Sequence, residues 1–194
     1  AGNERLTAVD PASKTTTWTF DGKDRVQTMT AAQSSLWQYS YDANDRISTV
    51  TDPTSTVTET RTYSANGRLA SVKDARNNVT QYTFDGFDRP NKVIYQDATF
   101  EQNSSYDANG NVLTYITRSG STIVSTFDVL NRLSTKAPSG QPTVTNTYDL
   151  AGRLTQISKP VIAGDPSSGT IQLFYDTAGR FFKEQYPDSK TVTH

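Results

Sequence analysis

Cysteine is absent from all 194 residues, which excludes a disulfide framework and any thiolate metal site. A single histidine, His194, stands at the last position, so neither a Ser-His-Asp nor a Cys-His arrangement has a base to draw on. No run of about 18 apolar residues is present to cross a bilayer as a helix, and the first residues lack a basic-then-apolar signal pattern. An excess of one charge is missing too. The 19 basic and 20 acidic residues leave a net charge of -1, whereas a nucleic-acid surface wants a strongly basic face. No glycine-rich loop is spaced to cradle phosphate. Apolar content is also low, at 34% with mean hydropathy -0.64, which is little for a chain that must bury a central core. Aromatics at 10% and near-balanced charge nevertheless argue against disorder. The composition suits a thin sheet better than a globule.

What the chain does have is one seven-residue shape, repeated. It reads aromatic, Asp, two variable residues, Gly or Asp or Asn, Arg, apolar, and Tyr41-Asp42-Ala43-Asn44-Asp45-Arg46-Ile47 shows it in full. Copies begin at Phe20, Tyr41, Tyr63, Phe84, Tyr106, Phe127, Tyr148 and Tyr175, and a headless one opens the chain as Gly2-Asn3-Glu4-Arg5-Leu6. The intervals between aromatics are 21, 22, 21, 22, 21, 21 and 27 residues, too short for the roughly 40-residue blade of a propeller. The second position holds Asp21, Asp42, Asp85, Asp107, Asp128, Asp149 and Asp176, with Ser64 the exception. The sixth holds Arg25, Arg46, Arg68, Arg89, Arg132, Arg153 and Arg180, with Asn111 the exception.

Within each unit the pattern alternates with period two, as in Thr56-Val57-Thr58-Glu59-Thr60-Arg61-Thr62-Tyr63, which predicts strands. Before the aromatic stands a hydroxyl residue in every unit but the last, where Phe174 replaces it. Two before it lie Trp18, Tyr39, Arg61, Tyr82, Ser104, Ser125, Asn146 and Leu173, on the same face as the aromatic. After it, Asp-x-x-Gly or Asp-x-x-Asn is turn chemistry. The carboxylate bonds amides two residues on, and Gly or Asn accepts positive φ. Gly110, Gly152 and Gly179 fit that role best. Return strands such as Arg46-Ile47-Ser48-Thr49-Val50 lead to second turns at Asp10-Pro11, Asp52-Pro53, Ala137-Pro138 and Lys159-Pro160, where proline is expected to interrupt the ladder.

Each repeat is therefore read as one β-hairpin, and consecutive hairpins as joined edge to edge. Seven steps of two strands, at about 4.8 Å a strand, extend such a sheet by roughly 70 Å. Strands each rotated by about 20° against the next force it to coil. The expected fold is all-β: tandem hairpins of about 21 residues in a continuous spiralling antiparallel sheet. Coiling is expected to stack each motif ring over the next and to set each Arg near a neighbouring Asp. The whole of 1–194 reads as a single array of eight full repeats plus a truncated first one, a fragment of a longer array.

Tyr-Asp-x-x-Gly-Arg-Leu units at this spacing, with Thr before the Tyr and a DP turn between units, resemble the YD repeats of bacterial Rhs and wall-associated proteins. They are equally similar to those of the C component of insecticidal toxin complexes and of the animal teneurins. The resemblance covers the whole chain. It implies a sheet wound into a hollow shell, which encloses a C-terminal toxin in the bacterial members and belongs to an adhesion ectodomain in teneurins. It implies a secreted or cell-surface location, and neighbouring repeats and an enclosed toxin polypeptide as partners. The alternative is an extracellular adhesion or fibre-forming module contacting glycans or neighbouring cells.

Ser64, Asn111 and Pro90 depart from the motif and are expected to weaken single rungs. The last interval carries extra residues from Lys159 to Gly169, read as a lengthened turn. Within it, Asp165-Pro166-Ser167-Ser168-Gly169-Thr170 misses by one spacing, and by its lack of Leu, the DPxGL element of self-cleaving Rhs proteins, so that activity is not carried over. Periodic Asp and Arg residues are architectural rather than catalytic, and no catalytic residue, cofactor or nucleic-acid partner is expected. Asp97, Asp107 and Asp165 lack the D-x-[DN]-x-[DN]-G spacing of a calcium loop, so no metal is expected. Trp18, Trp37, Tyr39 and Tyr82 are the candidate glycan contacts, against ordinary cross-strand packing as the plainer reading.

Overall fold

The computed structural model describes residues 5–31, 34–164 and 168–194. It divides into two compact units, Ala1–Thr99 and Phe100–His194. Among the described residues, both are built of strands joined by turns. The first holds β1 (Arg5–Val9), β2 (Thr15–Phe20), β3 (Val26–Ala31), β4 (Ser35–Tyr41), β5 (Ile47–Thr51), β6 (Val57–Tyr63), β7 (Leu69–Asp74), β8 (Val79–Phe84) and β9 (Pro90–Ile94). Each pairs antiparallel with the next in chain order. The second holds β10 (Phe100–Tyr106), β11 (Val112–Ile116), β12 (Thr122–Phe127), β13 (Leu133–Pro138), β14 (Val144–Tyr148), β15 (Leu154–Lys159), β16 (Gly169–Tyr175), β17 (Phe181–Gln185) and β18 (Thr191–Thr193). These pair in the same sequential way. The fold is the all-β tandem-hairpin array.

Two-residue periodicity becomes two-faced strands. In β4, Ser35, Trp37, Tyr39 and Tyr41 are half-buried while Leu36, Gln38 and Ser40 between them are exposed. Among the described residues no apolar side chain is fully buried. That absence is what low apolar content predicts of a single-layered sheet, in which each ring is covered by its strand neighbours rather than by a second layer.

The hydroxyl row lies on the more exposed face and pairs across each hairpin. Thr19 meets Thr28 at 2.6 Å, Thr62 meets Ser71 at 2.7 Å and Thr126 meets Thr135 at 2.7 Å. Phe174, which breaks the row, sits under the Lys183 ammonium at 4.0 Å instead.

The motif turns share one geometry. In the first, Asp24 N donates to Asp21 O at 3.1 Å and Asp21 N to Arg25 O at 2.8 Å, with Asp24 at φ 59°. That is a type I turn closed by a left-handed residue, and it puts a bulge in the return strand. Phe20 faces Val26 while Thr19 faces Thr28, and the same skip recurs at Tyr41, Tyr63, Phe84, Phe127, Tyr148 and Tyr175.

The connections between hairpins use the same turn. Asp10, Asp52 and Asp74 begin turns with Ser13, Ser55 and Asn77 at positive φ. Here Pro11 and Pro53 stand at the second turn position, where fixed φ suits a type I turn. Pro138, expected to interrupt the ladder, instead stands in register opposite Ile123 as the last residue of β13. A strand terminus tolerates the missing N–H.

Candidate functional site

The residues an enzymologist would examine are the motif Asp and Arg, and where both are present they meet within one turn. Asp21 Oδ1 accepts from Lys23 N at 2.9 Å and Arg25 N at 3.1 Å, while Oδ2 accepts from Arg25 Nε at 2.7 Å. Asp42, Asp85 and Asp128 repeat the three bonds, with Nε of Arg46, Arg89 and Arg132 at 2.7 to 2.8 Å. Asp149 and Asp176 hold Arg153 and Arg180 through both backbone amide and Nε. The Arg25 guanidinium holds the Asp21 carboxyl down to about 2, and Arg25 is itself raised by that carboxylate. Asp42, Asp85 and Asp128 are lowered chiefly by their arginine side chains, and Asp149 and Asp176 first by the arginine backbone amide.

The two substitutions resolve differently. Asn111 stands in for arginine at the turn, its Nδ2 reaching Asp107 Oδ2 at 2.8 Å. That amide contact is also the leading cause of the lowered Asp107 pKa. The Ser64 hydroxyl accepts Arg68 N, at 3.1 Å. Pro90 begins β9 opposite Phe84 and keeps the turn register.

Arginine then does a second thing that sequence reasoning assigned to the rings. The Arg25 guanidinium lies over Tyr41 at 4.3 Å, Arg46 over Tyr63 at 4.2 Å, Arg132 over Tyr148 at 4.3 Å and Arg153 over Tyr175 at 4.8 Å. The repeats thus stack cation on ring, not ring on ring, because consecutive motif aromatics stand two strands apart with the arginine between them. Each tyrosine also ties back by its hydroxyl. Tyr41 donates to Val26 O at 2.6 Å, Tyr63 to Ile47 O at 2.7 Å, Tyr148 to Leu133 O at 2.9 Å and Tyr175 to Leu154 O at 2.9 Å. Arg pairs with the Asp of its own repeat, four residues earlier, and not with the second-position Asp of a neighbour.

The neighbouring residue that does face the guanidinium is the fifth one, which sequence reasoning treated only as a turn former. Arg25 Nη1 bonds Asp45 Oδ1, and Lys23 Nζ joins it at 2.7 Å. Asn66 reaches Asp88 at 3.0 Å, and Asn109 and Asn111 reach Asn131 at 2.8 and 3.1 Å. The available signal was an acceptor side chain at a position where glycine alone would suffice for φ.

The candidate glycan rings do not form one platform. Trp18 and Trp37 flank Met29 in register across β2, β3 and β4, and Tyr39 lies two residues along from Trp37. Tyr82 is on β8, four strands beyond β4, roughly 19 Å away at about 4.8 Å per strand. All four are half-buried. Tyr115, outlying by its sequence position, is central in β11, between Asn103 and Ile123, and donates to Glu101 at 2.8 Å.

Among the described residues no group of three or more His, Cys, Asp or Glu side chains converges as a metal site would require. Asp97 accepts from Thr99 N at 3.0 Å, and Asp107 is held in its turn as above. Asp165, with Pro166 and Ser167 of the Asp-Pro segment, and the headless motif at Gly2-Asn3-Glu4 lie outside the described residues. A groove of about 330 Å³ opens beside the lengthened turn, lined by Val161, Thr170, Gln172, Tyr186 and Pro187 without a nucleophile–base pair. His194 stacks on Phe181 at 4.9 Å, with Nε2 3.7 Å from Glu184. No described helix is long and apolar enough to cross a membrane.

Comparison with known proteins fits this geometry. The family model described as Teneurin YD-shell matches residues 13–194. No curated protein sequence matches. Among solved structures, the TcdB2–TccC3–Cdc42 complex superposes with TM-score 0.64 at 18% identity, over 89% of this chain and 12% of that one. A Photorhabdus luminescens Tc holotoxin pore carrying a TccC3 point variant gives the same values, 0.64, 18%, 89% and 12%. The TcdB2–TccC3 complex gives TM-score 0.51 at 18% identity, over 93% and 10%. This chain thus spans about one-eighth of the longer chains it resembles in fold.

Proposed function

This chain belongs to the Teneurin YD-shell family, and from that premise we propose that it is a non-catalytic length of shell wall. It is a stretch of a longer extracellular array whose task is to enclose or present another polypeptide, of the kind a C-terminal toxin represents. One observation carries this reading. The motif carboxylates Asp21, Asp42, Asp85, Asp128, Asp149 and Asp176 each hold the arginine four residues on within their own turn, and the Arg25, Arg46, Arg132 and Arg153 guanidinia also cover the ring of the next repeat. A group so engaged is not poised for proton transfer or nucleophilic attack. The same economy suits a wall, whose energy is spread over repeats. An adhesion surface built on a ring platform is less well supported, since Tyr82 stands apart from Trp18, Trp37 and Tyr39.

The test is protease protection in the full-length protein that contains this array. A cleavable sequence placed in the segment after the repeats should resist protease while the wall is intact. It should become sensitive when Arg46, Arg132 and Arg153 are together replaced by Ala. Equal sensitivity in both proteins, with the array folded by circular dichroism, would remove the enclosure reading.

A further inference from the structure

We propose that the joint between the hairpin β12–β13 and the hairpin β14–β15 is a built-in opening point, at which the second unit parts before it parts anywhere else. Its use as a gate rests on the wall reading above; the joint itself rests on three independent features of the chain.

The first is the missing latch. Where the fifth turn residue is Asp45, Asp88 or Asn131, it accepts a hydrogen bond from the preceding repeat. At this joint the residue is Gly152, as it is Gly179 at the next, and the Cβ it lacks would stand 3.8 Å from Arg132 Nη1. That nitrogen is buried, and among the described residues it has no hydrogen-bond partner. An unpaired buried donor is a standing cost of closure.

The second is the ladder. β13 and β14 share two residue pairs, Thr135 with Thr145 and Lys136 with Val144, whereas the other described strand pairs within the units share three to five. The sequence gives the reason. Continuing that register toward the turn would set Pro138 opposite Pro142, and neither has an N–H to donate.

The third is convergence on one atom. Tyr148 Oη at 2.9 Å and Asn146 Nδ2 at 3.1 Å both donate to Leu133 O. The side-chain hydrogen bonds across the joint thus meet at a single carbonyl, so losing that contact releases two bonds together.

Hydrogen exchange on the intact 194-residue chain tests this. Amides of β14 should exchange about ten-fold faster than those at the five-pair β12–β13 junction. Gly152→Asp, which restores the latch seen at Asp45, should slow β14 exchange by about five-fold. Gly120→Asp is the control, since Gly120 has comparable φ, +84°, but nothing within 4 Å of its missing Cβ; it should leave β14 unchanged. Equal rates at β12–β13 and β13–β14 in the unaltered chain would overturn the proposal, and so would equal slowing by the two variants. Exchange reports on the joint whatever the array encloses, so its outcome is separate from that of protease protection.

Discussion

The Arg25 guanidinium lies over the Tyr41 ring at 4.3 Å while its Nε is held by Asp21 at 2.7 Å. One side chain therefore closes the turn of its own repeat and roofs the aromatic of the next. The motif needs Asp, Arg and an aromatic together because the carboxylate fixes the guanidinium plane that the ring then accepts. Removing any of the three should release the other two.

The natural exception makes this testable. Arg68 follows Ser64 rather than Asp, so beside the two backbone bonds of the turn the side chain at its first position contributes the bond from Arg68 N to the serine hydroxyl. Arg46→Ala, which loses both the Asp42 contact and the stack on Tyr63 at 4.2 Å, should destabilise by about 1 to 2 kcal/mol. Arg68→Ala should cost less than half of that, and Ser64→Asp should stabilise by about 1 kcal/mol by supplying the missing acceptor. Chemical denaturation of the three variants checks the order. An Arg68→Ala loss equal to that of Arg46→Ala would refute the coupling.

Ala98 is the fourth residue of the connecting turn that begins at Tyr95, and holds φ 63°. A left-handed alanine costs roughly 1 to 2 kcal/mol in backbone strain, part of which glycine recovers against its greater unfolded freedom. Ala98→Gly should therefore raise stability by about 0.5 to 1 kcal/mol, whereas Gly120→Ala, at φ 84°, should lower it by a similar amount. Matched thermal melts decide whether the turn conformation sets these signs.

The hairpins were legible because period two, a fixed aromatic interval and Asp-x-x-Gly chemistry are local signals, and each is satisfied within one repeat. Glycan readings at Trp18, Trp37, Tyr39 and Tyr82 followed the same local logic and missed the separation of β4 from β8, because sequence position within a repeat does not say which repeats are neighbours. The stacking differs from the ring-on-ring expectation for a related reason. Which side chain covers Tyr41 depends on the interval between strands, and the long arginine fills the gap that ring-on-ring contact would have to cross. The fifth residue reads as a backbone device because glycine and asparagine both accept positive φ; Asp45 shows its second use only when the preceding repeat is in place. The connecting turn at Asp52 is announced by Pro53, and the one at Asp74 was readable in principle, since Asp-x-x-Asn repeats the motif spacing without its aromatic or arginine.

Tyr41 separates ring from hydroxyl. Tyr41→Phe keeps the surface that Arg25 covers and loses the bond to Val26 O at 2.6 Å. It should cost about 1 kcal/mol. Tyr41→Ala removes the ring as well and should cost about 3 kcal/mol, toward the low end for a large aromatic because the site is only half-buried. Equal losses from the two changes would place the stabilisation in the hydroxyl alone and remove the cation–ring contact from the account.

Acid should undo the array within a defined window. Asp21 titrates near 2 in the folded chain against 3.8 for the free side chain, and Asp42, Asp85, Asp107, Asp128, Asp149 and Asp176 are shifted in the same direction. Because folding lowers these values, the unfolded chain binds more protons as pH drops below 3.8. The stability they contribute is fully present above that pH, falls as pH descends, and is lost as the folded carboxyls protonate, Asp21 near 2. Melting temperature should therefore be flat from about pH 7 to pH 5 and decline steeply below about pH 4. Asp21→Asn should lower the plateau and make the decline shallower, since one proton-binding difference has been removed. High salt should weaken the plateau only modestly, because the turn amides hold each carboxylate as well as the guanidinium does. A decline centred near pH 6 would point instead to a titrating group outside the motif and would reject the carboxylate ladder as the source of acid sensitivity.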